Sequence, residues 1–403
     1  MENNIKSKSQ SYLWPFILVA SLFLLWGFAH SILDVLNKHF QNALEISKAR
    51  SAMVQFMVYL GYFLMALPAG YIIRHYGYRI GVVVGLALYG IGALMFVPGA
   101  QMMSFWFFLF CLFVIGCGLT CLETSANPYI TVLGEPERAA TRLNLAQSLN
   151  GLGWILGPLV GGQIMLSEAE GEAASAGSVA IPYAVIGVVV LVLAVVFSRF
   201  KLPEIADVAA DSDVAPTTSL WTAPGFVFGV VALFFYVAAQ TGINSFYINY
   251  VVESPLGISD LTASRLLSIG GMGLFFFGRL FGAMIMRRVK PARLLLFCAA
   301  GALACVACVI TCSGWLAVVA LSTTYLFESI MFPTIFAMAI NNVHGPKVAT
   351  GSSVLVMAIV GGAIAPLLMG WIGDTWNMSV GFIVPLVCFI IITVYSFNRL
   401  YAK

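Results

Sequence analysis

Charged side chains are scarce in this chain. Lys, Arg, Asp and Glu together make up 9% of its 403 residues, where a soluble domain carries roughly a quarter. Polar residues are too few to coat a water-facing fold, so the solvent has to be lipid. Histidine is rarer still, at four residues. There is no H-E-x-x-H pair, no G-x-x-x-x-G-K-[ST] phosphate loop and no polar region large enough to hold ATP. Nothing supports an enzyme, and any uphill movement of a solute must draw on an ion gradient. The eight cysteines all fall inside apolar runs. Cys305 and Cys308 have zinc-like spacing, but no histidine or second pair accompanies them. Small buried residues easing helix contacts is the better reading, and no metal is expected. The net charge of +3 carries little information, and nucleic acid is not an expected partner.

What the chain has instead is apolar length. Hydrophobic residues make up 61% of it, and a spanning helix needs about 20 of them in a row. Apolar runs are read at 12–37, 51–73, 79–98, 104–133, 142–166 and 179–199, then at 222–251, 262–286, 291–312, 315–342, 348–372 and 378–399. The first follows Lys6 and Lys8 and is too long for a cleavable signal peptide, so it reads as a retained span. Between the two sets of six lies the longest polar stretch, rich in Asp, Pro, Ser and Thr. The expected organisation is therefore a six-helix bundle over 1–199, a cytoplasmic linker over 200–221 and a second six-helix bundle over 222–403. With the N-terminus inside, fifteen of the twenty Lys and Arg residues fall on the cytoplasmic side. Both termini are then cytoplasmic.

The halves also resemble each other. Glu123, Pro128 and Ile130 recur as Glu328, Pro333 and Ile335, and Pro158, Gly162 and Ile164 recur as Pro366, Gly370 and Ile372. The offsets of 205 and 208 residues mark a six-plus-six duplication, a build in which the site lies at the midplane between the halves.

Ionisable groups inside a membrane cost about 2.5–3.5 kcal/mol each on insertion scales, so each needs a reason. Asp34 shares a helix face with Trp26 and His30 at i, i+4, i+8, and Ser31 lies beside them. The stripe reads as lining water or substrate; the plain alternative is an Asp34 solvated near the outer headgroups. Glu123 is more deeply embedded, with Asn127 one turn on. Desolvation brings a carboxyl's proton affinity towards the working range of a coupling group, while a permanently protonated hydrogen bonder is the alternative. Glu328 sits at the repeat-equivalent place, as a second titrating or ligand-contacting carboxyl or as a partner for Arg279. Arg279 is given a structural role, gating or pairing with a carboxylate, and Asp374 is placed in a solvated outer loop. Amides and aromatics cluster twice more: Gln147, Asn150 and Trp154 in span five, and Gln240, Asn244 and Tyr247 in span seven. Amides both donate and accept, and aromatic faces pack against the CH face of a sugar ring. With few fixed charges, that set suits a neutral polyol, although interhelical hydrogen bonding uses the same residues.

The run Arg142-Leu-Asn-Leu-Ala-Gln147-Ser-Leu-Asn150, with Leu122-Glu123-Thr-Ser-Ala-Asn-Pro128 and Leu25-Trp26…Asp34, closely resembles the L-fucose:proton symporter family. That is the fucose/galactose/glucose branch of the major facilitator superfamily. Ala239-Gln240-Thr241, Gly278-Arg279, Phe332-Pro333-Thr334-Ile335-Phe336 and Gly361-Gly362 extend the similarity over nearly the whole chain. The resemblance implies an all-α membrane fold of twelve helices in two bundles that rock about a central cavity. It implies that Asp34 and Glu123 are the family's two carboxylates, one tied to proton coupling and one close to the sugar. It implies that Trp26, Gln147 and Asn150 line the N-half cavity, and that Phe275 and Phe332 fall at C-half positions. His30-Ser31 replaces the family's consecutive asparagines, and Glu328 and Met331 replace an aliphatic or amide pair, so the pocket is chemically altered. The expected protein is a monomeric, proton-coupled monosaccharide importer of a bacterial inner membrane, needing no cofactor. Sodium coupling, or a sugar sensor on the same fold, are the competing readings.

Overall fold

The computed structural model describes residues 2–102, 104–132, 139–166, 179–200, 221, 225–286, 288–340 and 347–401. Among them every regular element is a helix, and the chain makes twelve passes. These are α1 (Trp14–Leu44), α2 (Lys48–Ile73), α3 (His75–Met102), α4 (Phe105–Asn127), α5 (Ala139–Met165), α6 (Ala180–Arg199), α7 (Phe226–Glu253), α8 (Asp260–Gly282), α9 (Pro291–Thr311), α10 (Gly314–Ala339), α11 (Ser353–Thr375) and α12 (Met378–Tyr401). All but α5 are long and apolar enough, by length and composition, to cross a bilayer. α5, the helix of Gln147 and Asn150, is 27 residues long and therefore about 40 Å. The expected linker falls almost wholly outside the described residues. Because the passes alternate in direction, α1 begins and α12 ends at one end of the bundle. We call this the terminal end and the opposite one the distal end.

The helices run further than the apolar runs. α1 continues past Lys38 to Leu44, because Lys38 at the distal end pairs with Asp260 of α8 (3.6 Å) and Phe40 is fully buried. Near the start of α3 the chain kinks at Gly77, whose φ of 82° suits glycine alone. Within the first six helices α1 lies on α5 across a seam of small residues, and α2 and α3 lie on α4. In lipid such close backbone approach supplies the van der Waals contact that drives helices together.

Three of the last six helices are irregular at mid-depth. α8 holds a π-helical stretch over Leu266–Met272, α11 a 3-10 turn over Ala358–Val360, and α10 breaks at Ser329 and Ile330. The break in α10 has a stated cause. Pro333 has no N–H to give to the carbonyl of Ser329, and the Arg279 Nε takes that carbonyl instead (3.3 Å). One residue earlier, the Tyr236 hydroxyl donates to the Glu328 carbonyl (3.1 Å). Backbone groups freed in the apolar interior are thus supplied with side-chain partners.

Candidate functional site

Polar side chains from both halves converge on the middle of the bundle. On α1, Trp26, His30 and Asp34 are all buried, as one helix face requires. α2 carries the partners for that face. The Gln55 amide donates to Asp34 Oδ1 (2.9 Å), and the Tyr62 hydroxyl shares a hydrogen bond with His30 Nε2 (2.9 Å). Tyr62 is also the neighbour of the half-buried Glu123 on α4 and of the Trp26 indole. Trp154 of α5 stacks on His30, with ring centroids 5.9 Å apart at 19°. The N-half therefore gathers two carboxyls, an imidazole, two phenols and two indoles around one point.

Asp34 is 2% exposed, so it is not a headgroup-solvated residue. Its Oδ2 has no hydrogen-bond partner among the described residues. A buried unpaired carboxyl oxygen is costly to leave unmade, which marks this atom as one whose partner arrives and leaves.

From the other half, α7 presents half-buried Gln240 and buried Asn244 and Tyr247. Thr241 donates to the Tyr59 hydroxyl across the halves (3.1 Å), and Tyr247 shares a hydrogen bond with Ser322 (2.7 Å) while its ring meets Tyr325 edge-on at 5.9 Å. Asn244 Oδ1 and the Tyr325 hydroxyl have no hydrogen-bond partner among the described residues. Phe275 is buried under the Arg279 guanidinium, which lies 4.7 Å from its ring centroid, and Phe332 packs beside Tyr236. The arrangement offers amides, phenols and aromatic faces. Its fixed cation, Arg279, is already engaged, donating to the Ser329 carbonyl and to Gln147 Oε1 of the other half (3.4 Å).

Some placements differ from the sequence reading. Arg279 does not pair with Glu328; both Glu328 carboxyl oxygens are fully buried without a partner. Ser31 faces α5 rather than the centre, donating to the Gly153 carbonyl (3.2 Å), and Asn150 Nδ2 donates to the Phe23 carbonyl (3.1 Å). Both lie in the α1–α5 seam. Gln147 reaches Asn127 Oδ1 (3.3 Å) as well as Arg279. Asp374 is exposed but lies in the last turn of α11 rather than in a loop, and its carboxylate accepts from the backbone N–H groups of Lys48 and Ala49 across the halves (2.9 Å each). The sequence reading passed over Gln55, Tyr59, Tyr62, Tyr236 and Tyr325. The signal was available for three of them: Gln55, Tyr59 and Tyr62 follow one another at i, i+4, i+7, a single polar stripe on α2.

Comparison with known proteins agrees with this architecture. The Major Facilitator Superfamily model matches residues 15–359. The glucose/galactose transporter of Brucella abortus (biovar 1, strain 9-941) is 33% identical over 393 residues, covering 97% of this chain and 95% of that protein. The L-fucose-proton symporter of Escherichia coli (strain K12) is 35% identical over 415 residues, covering 96% and 94%. Among solved structures, the E. coli fucose:proton symporter matches with a TM-score of 0.73 at 33% identity, over 98% of this chain and all of that one. A bacterial homologue of the lysosomal transporter Spinster shares the fold at a TM-score of 0.74 with 14% identity. On the family match and on full-length relatives above 30% identity, the chain belongs to the Major Facilitator Superfamily and is a multi-pass membrane transporter, not an enzyme.

Proposed function

We propose that this protein imports a neutral monosaccharide by proton symport, through alternating access of the central site to the two sides of a bacterial inner membrane. The observation that carries the reading is Asp34. Its carboxyl is buried at the junction of the halves, one oxygen held by Gln55 and the other open, next to a set of amides and aromatics whose fixed cation is occupied elsewhere. Curated relatives named for glucose, galactose and fucose, one of them named as a proton symporter, support the substrate class and the coupling ion. Asp34 and Glu123 are assigned to proton coupling, with Glu123 also close to the sugar. Trp26, His30, Gln147, Gln240, Asn244, Tyr247, Phe275 and Phe332 are assigned to the sugar, Asn150 and Ser31 shaping the wall behind them. Both termini are placed in the cytoplasm, which makes the distal end the outer face.

The test is uptake of labelled hexoses, deoxyhexoses and N-acetylhexosamines by purified protein in proteoliposomes, under an inward proton gradient and separately under an inward sodium gradient. Accumulation with protons alone supports the proposal. Accumulation only with sodium overturns the coupling ion. Saturable binding with no counterflow of any sugar overturns transport and leaves a sensor.

A further inference from the structure

Glu328 is the least accommodated polar group in the molecule's centre. It is 0% exposed, and among the described residues neither carboxyl oxygen has a hydrogen-bond partner. The groups that face it are few. From α7 the Tyr236 hydroxyl takes the Glu328 backbone carbonyl, not its side chain. From α8 the Arg279 guanidinium goes to the Ser329 carbonyl, to Gln147 and to the Phe275 ring. On α10 itself the Tyr325 hydroxyl, one turn back, is unpaired and within electrostatic reach of both Glu328 and Asp34 of α1. From α9 the neighbours of this stretch are apolar, with Phe297 against Phe327. Among the described residues no cation is paired with the carboxyl, and an isolated buried carboxylate is heavily disfavoured.

Two reasons other than a proton would keep such a residue, and the geometry argues against both. A carboxylic acid retained for packing or local hydrogen bonding should be bonded to something, and Glu328 is bonded to nothing through its side chain. A ligand-contacting role needs space beside it, whereas the side chain is closed in on every side. A proton is a ligand that needs no space. The surroundings are also built to change. Tyr236 and Tyr325, which neighbour Glu328, lie within electrostatic reach of Tyr59 and Asp34 in the other half, and Tyr59 is bonded to Thr241 across the halves. A separation of the halves would break that bond and change what surrounds Glu328. The helix is interrupted directly after it, at Ser329 and Ile330. The sequence duplication sets it in the register of Glu123, each five residues before a proline.

From this geometry we infer that Glu328 is a second proton-carrying group of the cycle, in the C-terminal half, so that two protons cross with each sugar. The inference rests on the proton-symport reading given above. The Glu328 carboxylate takes a proton from the outer water when the halves part there. It carries it neutral through the closed state and returns it to the inner water when the opposite side opens. The Asp34 and Glu123 pair of the N-terminal half handles the other proton between them.

The experiment is a reversal measurement on the full-length protein in proteoliposomes, with membrane potential clamped at zero and an imposed pH difference of about one unit. Net sugar flux vanishes where the opposing sugar gradient balances the protons. That point is about tenfold for one proton and about a hundredfold for two, since each proton contributes one factor of ten. The expected result is about a hundredfold for the parent and about tenfold for Glu328→Gln, with Glu328→Met, an apolar replacement of similar volume, used where the amide does not fold. A parent value of about tenfold overturns this inference alone. A hundredfold value that persists in the variant also overturns it, because the second proton then rides elsewhere. No dependence on the pH difference in the parent removes proton symport itself, and this inference with it.

Discussion

At Asp34 the two carboxyl oxygens have different work. Oδ1 accepts from Gln55 and Oδ2 is open. Asparagine keeps an oxygen for Gln55 and nearly the same shape, but it cannot change charge. Asp34→Asn is therefore expected to abolish proton-driven accumulation while sugar counterflow, which needs no net charge movement, survives in the same proteoliposomes. Accumulation at the parent's level would remove Asp34 from coupling. Asn150 and Gln240 separate in the same way between packing and binding. The Asn150 amide nitrogen is bonded to the Phe23 carbonyl in the α1–α5 seam, so Asn150→Ala is expected to lower stability by ~0.5–1.5 kcal/mol, read as an earlier thermal unfolding transition in detergent. Gln240→Ala, on the half-buried face of α7, is expected to weaken sugar binding about three- to tenfold with the transition unmoved. Much of this was legible in the sequence. The Trp26, His30, Asp34 stripe was readable because one helix fixes which of its own residues share a face. Gln55, as the partner of Asp34, was not readable, because pairing between helices depends on how they are rotated against each other. Asn150 was ambiguous for a related reason: an amide that binds a sugar and one that binds a neighbouring carbonyl look identical in a sequence.

At the scale of elements, α1 and α5 are held together by the absence of side chains. A Cβ on Gly153 would lie 2.3 Å from the Leu24 carbonyl oxygen, and one on Gly27 would lie 2.2 Å from that of Asn150. Neither neighbour is a flexible side chain, so the helices would have to part. Overpacking a core usually costs about 1–3 kcal/mol, and separating two backbones that carry Ser31 and Asn150 between them adds the loss of those hydrogen bonds. Gly153→Val is accordingly expected to leave little monodisperse protein by size-exclusion chromatography. Gly70→Ala, where an added Cβ meets nothing within 4 Å, should elute like the parent. Equal recovery of both variants would mean that the seam tolerates separation. The twelve passes themselves were evident from the length of the apolar runs, since lipid admits few other solutions. The ends were less evident, because Lys38 looked like the edge of a span and is instead a buried-side partner for Asp260. Of the mid-depth irregularities, the break in α10 is announced by Pro333. The π-helical stretch over Leu266–Met272 contains no proline and has only its paired glycines, Gly270 and Gly271, to mark it.

For the whole molecule, the two halves are bonded to each other chiefly at the distal end. Asn37 donates to the Ser245 carbonyl (2.8 Å), Asn249 to Gln41 Oε1 (2.6 Å), Ser264 to the Pro158 carbonyl (2.7 Å) and Arg265 to Gln163 (2.9 Å). Lys48 reaches Glu253 at 2.8 Å, and Asp374 holds the backbone of Lys48 and Ala49. These bonds join α1, α2 and α5 to α7, α8 and α11, so parting the halves at this end has to break them. Individually each is a polar contact, buried at Asn37 and Ser264 and more open elsewhere, worth about 1.5 kcal/mol or less. Their sum is a latch within reach of sugar and proton binding, because a population shift of this kind needs only a few kcal/mol of differential affinity. If the distal end must open once per cycle, tying it shut has to stop transport. Gln41→Cys with Asn249→Cys, in a background whose eight native thiols have been replaced, places one thiol on each side of the closure. Bridging them with a short, reducible bifunctional reagent is expected to abolish both uptake and counterflow, and a reductant should restore both. Each single-cysteine variant, treated identically, should stay active. Full transport by the bridged protein would show that this closure does not part during the cycle, and the moving contacts would have to be sought elsewhere between the halves.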